Sequence, residues 1–138
     1  MPTKVFSAFK NGPHDVPSNL STIGSLTLPP GKYAIFAKLF LEQGSSNTNK
    51  VQPNKVSAKL EAGPDFDVSS TLIGLAVNGN PFLSNAETIS LNVVHEFKNG
   101  GSAVVKLDKL PDTTPHLTWS FLKITAFQVD TLTNTGMP

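Results

Sequence analysis

The chain has 138 residues, about one domain's worth, and is long enough to bury a core that needs no covalent staples. All eleven basic residues are lysines, ten acidic residues leave a net charge of +1, and cysteine is absent. This excludes disulfide frameworks, thiolate metal sites, cysteine nucleophiles and arginine forks, and it argues against a nucleic-acid partner. A hydrophobic share of 38% with so little net charge excludes a disordered chain.

The elements follow in chain order. Met1–Ser7 lacks the apolar run of a secretory signal, and no segment approaches the ~20 apolar residues of a membrane span. The expectation is a soluble protein without membrane insertion. It would be cytoplasmic, or extracellular or virion-associated by a route that needs no cleaved signal. Strands are predicted over 4–9 and 19–28. Pro29, Pro30 and Gly31 then introduce a third over 32–42. There Tyr33, Ile35, Ala37, Leu39 and Leu41 share one face, and Ala34, Phe36, Lys38, Phe40 and Glu42 share the other. Gly44–Asn54 has loop composition. Val56, Ala58 and Leu60 mark a strand over 55–62, and the Gly63-Pro64-Asp65 turn leads into another over 66–76.

Asn78-Gly79-Asn80-Pro81 is the next turn. In 86–98, Ile89, Leu91, Val93, His95 and Phe97 alternate with Thr88, Ser90, Asn92, Val94 and Glu96. Asn99-Gly100-Gly101 separates this run from Ala103, Val105 and Leu107 in 102–108, which predicts a hairpin. The last strand, 116–130, changes parity. Leu117, Trp119 and Phe121 share one face, Leu122, Ile124 and Ala126 the next, and Phe127 and Val129 revert. A bulge or burial on both faces explains such a shift, and a central strand fits it better than an edge. Residues 131–138 form a polar tail expected to fray. The period of two throughout, with one mostly polar face, describes antiparallel strands in a sandwich or barrel. The chain is read as one domain over 1–138.

Three stretches together resemble the tumour-necrosis-factor-like or complement globular-head family of jelly rolls. Val5-Phe6-Ser7-Ala8-Phe9 is similar to the family's short opening strand. Leu28-Pro29-Pro30-Gly31-Lys32-Tyr33 is similar to its Pro-Gly-x-Tyr entry to a long central strand. Trp119 through Phe127 is similar to its aromatic closing strand, with Leu122-Lys123-Ile124 where the complement type has Phe-x-Gly-Phe. The resemblance implies an all-β antiparallel jelly-roll β-sandwich of about eight to ten strands, and a homotrimer.

Chemical constellations are sparse. His14, His95 and His116 show no metal-ligand spacing. His95 has inward parity, as a core histidine or one near an oligomer seam. Asp65 with Asp67, and Asp108 with Asp112, supply only two carboxylates each, so calcium is the weaker reading beside turn chemistry. No Gly-x-Ser-x-Gly elbow and no phosphate loop occur. The expectation is a non-enzymatic protein without cofactor or metal. Tyr33 and Trp119, the sole amphipathic aromatics, lie within apolar strand patterns, so packing is favoured over sugar stacking. Loop asparagines Asn47, Asn49, Asn78 and Asn80 are the weak candidates for binding a glycan or a cell-surface protein. Phe36 and Phe40 occupy a face that should be polar, and a strand apolar on both faces needs a second burial partner. Tyr33, Phe36, Phe40, Trp119 and Phe121 are accordingly the candidates for a trimer interface.

Overall fold

A computed structural model of the chain describes residues 3–43, 54–74, 86–110 and 117–138. Among these residues there are nine strands: β1 (Val5–Lys10), β2 (His14–Asp15), β3 (Ser21–Leu28), β4 (Gly31–Gln43), β5 (Asn54–Ala62), β6 (Asp65–Ile73), β7 (Ala86–Phe97), β8 (Gly101–Leu110) and β9 (Leu117–Val129). They form two antiparallel sheets. The first has the order β1-β9-β4-β7, with β2 also on β9, and the second has the order β3-β8-β5-β6. The fold is a jelly-roll sandwich, and no helix among the described residues is long and apolar enough to cross a membrane.

Alternation places the core. On the first sheet Tyr33, Ile35, Leu39, Leu41, Ile89, Leu91 and Ile124 point inward. On the second, Leu26, Leu28, Val56, Leu60, Val105 and Leu107 meet them. Gly24 lies where the sheets come close, since a Cβ there would stand 2.5 Å from Cδ2 of Leu122. β2 is the one strand the sequence pattern missed, because two residues are too few to show alternation.

The parity change in the last strand is a bulge. Lys38 pairs with Lys123 and Phe40 with Ser120, so β9 carries one extra residue between two β4 positions. Phe121 takes up the difference at φ 55°, a left-handed conformation unfavourable for a residue with a Cβ. Its N–H donates to the Asn11 carbonyl at 2.7 Å, which helps hold the bulge. Leu117 and Trp119 thus face the core before the bulge, and Leu122 and Ile124 face it afterwards. β9 sits between β1 and β4, a central position as expected.

The expected hairpin at Asn99-Gly100-Gly101 does not form. β7 lies in the first sheet and β8 in the second, so this turn is a crossing between layers. Gly100 has φ 82° there, and Gly101 pairs with Leu28 of β3. A glycine turn reverses the chain, but the strand's partner is chosen by distant residues.

Candidate functional site

The outer face of the first sheet follows from its register. One row across the strands reads Phe9, Lys123, Lys38 and Ser90. The next reads Ser7, Thr125, Phe36 and Asn92, and the third Val5, Phe127, Ala34 and Val94. On the other side of the lysine row lie Ser120, Phe40 and Thr88, with Phe121 turned outward by the bulge. Phe9 is 73% exposed and Phe121 62%. Val5, Phe36 and Phe127 are also exposed, and Phe40 is half-buried. Phe36 and Phe127 meet edge to face, with ring centroids 6.0 Å apart. A sheet face this rich in phenylalanine is unusual on a protein that stays alone in water.

Of the residues expected at an interface, Phe36, Phe40 and Phe121 stand on this one face. Tyr33 and Trp119 do not, and that expectation needs correction. Tyr33 is 0% exposed and Trp119 3% within a single chain. The Tyr33 hydroxyl donates to the Pro29 carbonyl at 2.8 Å, and its ring packs on Phe6 and Phe97. Burial pushes its phenol above the ordinary value. The tyrosine of the Pro-Gly-x-Tyr stretch therefore ties down its own turn. Trp119 is core, flanked by His14 at 4.6 Å and by the Lys10 ammonium at 5.6 Å. Sequence reasoning missed Val5, Phe9 and Phe127. The available signal was the odd parity of Phe127 after Ala126, which register with Phe36 turns into a cluster.

Asn47, Asn49, Asn78, Asn80, Asp112 and His116 lie outside the described residues. His95 does face inward, at the margin where β7 meets β6. Its Nδ1 and Oδ2 of Asp65 share a hydrogen bond of 2.7 Å. Its ring stands edge-on to Phe97 at 4.5 Å. Gly63, at φ 58°, leaves the ring its space, as a Cβ there would come 2.8 Å from Nε2. Asp67 accepts the Asn92 backbone N–H at 2.9 Å. The pair Asp65 and Asp67 thus ties one sheet margin to the other. Among the described residues no group of three or more His, Cys, Asp or Glu could hold a metal ion. Asp108 lies on the outer face of the second sheet, opposite Ser57.

No family model and no curated protein matches the chain. Solved structures do. A structure of infectious bursal disease virus, Gx strain, matches at TM-score 0.54 and 13% identity, over 94% of this chain and 33% of that one. The present chain thus spans about a third of that protein's length. The globular domain of zebrafish complement 1qA protein matches at TM-score 0.45 and 12% identity, over 92% and 97% of the two chains. Eiger TNF from S. frugiperda matches at TM-score 0.44 and 8% identity, over 100% and 99%. At these identities the likeness is one of fold.

Proposed function

We propose that the protein is a non-enzymatic homotrimeric binding module, assembled through the outer face of its first sheet. Its loops would recognise a surface ligand, a glycan or a cell-surface protein. The observation that carries the assembly is the phenylalanine-rich face itself. Phe9, Phe36, Phe121 and Phe127 come from three neighbouring strands and form one surface. Covering it removes apolar area from water, which favours association at roughly 25 cal/mol per Å² before the costs of ordering. Three copies also present three copies of any loop site, and avidity then raises binding by about 10²-fold or more without a strong single site.

A second reading is a structural component of a virion or fibre, for which trimerisation is the essential property and a small ligand is not needed. The fold likeness to a protein of infectious bursal disease virus favours it. Sedimentation equilibrium tests the shared part. The expected mass is three times 14.7 kDa, and a mass of 14.7 kDa at micromolar concentration would sink both readings. A glycan array then separates them. Specific, saturable binding supports the module, and silence on glycans and cells supports the structural component.

A further inference from the structure

Two lysines stand in the middle of the apolar face. Lys38 of β4 and Lys123 of β9 are direct cross-strand partners. Side chains so paired have Cβ atoms only about 5 Å apart, and like charges there repel. Neither ammonium has an ion-pair partner among the described residues. The carboxylates of this face sit toward its ends. Glu42 lies four residues along β4 from Lys38, Asp15 pairs with Thr118, and Glu96 pairs with Lys32. Four residues of strand is roughly 14 Å at ~3.4 Å per residue.

The lysines line a shallow groove of about 360 Å³, together with Phe36, Phe127, Ser90 and Thr125. Two cations supply charge, two hydroxyls supply further donors, and two phenyl rings form apolar walls. Lysine suits a compact oxyanion as a point charge, where arginine would select a planar fork. The same residues raise a difficulty for assembly. Covering two unpaired ammoniums under a second copy strips them of water, at a cost of several kcal/mol for each uncompensated ion.

We propose that this groove is an oxyanion site. Lys38 and Lys123, with the hydroxyls of Ser90 and Thr125, hold one free phosphate- or sulfate-class dianion, and that anion lets the face be covered when copies assemble. The binding half stands on the groove alone, and the assembly half rests on the trimer reading above.

The test uses the full chain with inorganic phosphate, against sodium chloride at equal ionic strength. Backbone amide spectra should show saturable phosphate shifts at Lys38, Ser90, Lys123 and Thr125. The double variant Lys38→Met/Lys123→Met should lose them, and Lys38→Gln/Lys123→Gln, which keeps the face polar, should lose them too. A Lys55→Met control on the second sheet should keep them. By ligand linkage, saturating phosphate, one anion per chain, should lower the concentration needed for assembly by about tenfold if the covered face holds it about fivefold more tightly than the open one. The methionine variant should assemble equally well with and without it. Absent shifts in the groove, or shifts that survive both double variants, overturn the site. A phosphate-independent assembly in the unmodified protein overturns the second half. A chain that stays monomeric in every condition defeats the trimer reading, while the groove shifts still decide whether the anion binds.

Discussion

The two outer faces of the sandwich use the same pleat and the same alternation for opposite ends. On the second sheet the central strands are polar and self-neutralising. Glu61 meets Lys106 at 3.0 Å and Lys59 at 3.3 Å, and Ser57 meets Ser70 at 2.9 Å. Its exposed apolar side chains are Phe66, Val68 and Leu72 on the edge strand β6 and Leu110 at the end of β8, and the Lys59 ammonium covers the Phe66 ring at 4.6 Å. On the first sheet the apolar residues run across β1, β9 and β4, and the two central lysines have no carboxylate beside them. One face is finished as a surface in water. The other carries phenylalanines on three neighbouring strands around two lysines that have no ion-pair partner among the described residues. Net composition cannot distinguish them, because both faces draw on the same small stock of charges.

The largest effect should come from placing charge on the first face. Phe36→Lys with Phe127→Lys should abolish self-association, since each adds an uncompensated charge to a face that already holds two unpaired lysines, and each such charge buried at an interface costs about 3–5 kcal/mol. Phe66→Lys with Leu72→Lys on the second sheet should leave the mass unchanged, as read by light scattering. Equal loss in both double variants would erase the distinction between the faces. Next comes the boundary between interior and face within β9. Trp119→Ala should lose about 3–5 kcal/mol of stability in urea unfolding, as truncation of a buried aromatic does. Phe121→Ala, two residues on, should leave the monomer's stability nearly unchanged and weaken assembly.

A smaller effect is expected at the sheet margin. Asp67→Ala removes the acceptor of the Asn92 N–H and should cost about 1 kcal/mol, with faster amide exchange at Asn92. Unchanged protection there would show that the aspartate does not join the sheets. The smallest effect concerns the second face's charge network. The hydrogen bond from Lys106, joined by the one from Lys59, lowers the Glu61 carboxyl below its ordinary 4.5. A lowered folded value stabilises the fold above 4.5, and that contribution is lost as pH falls through the lowered value. Glu61→Gln should therefore cost at most about 1 kcal/mol at neutral pH, allowing for solvent screening. The gap to the unmodified protein should close in acid, and a pH-independent gap would refute the charge account.

Much of the fold was legible because alternation records burial directly. Tyr33, Ile35, Leu39 and Leu41 announced an inward face, and all four are buried. The parity change near Phe121 announced a bulge, which the β9 register contains. The face was half legible. Phe36 and Phe40 stood out against polar neighbours, whereas Phe9 looked like one more apolar residue in a short strand. Tyr33 and Trp119 were misplaced because an aromatic in an apolar run has the same pattern in a core as in a seam.

The sequence by itself determined the class, the strands and which side of most strands is wet, since each depends on neighbours two residues apart. Only the tertiary structure decided that β7 and β8 part company at Gly100. It alone brought Lys38 beside Lys123, and it put His95 against Asp65 thirty residues away. Those are pairings between strands distant along the chain, chosen by how two sheets close over one core. No local pattern carries them, and the proposed function and anion site rest on them.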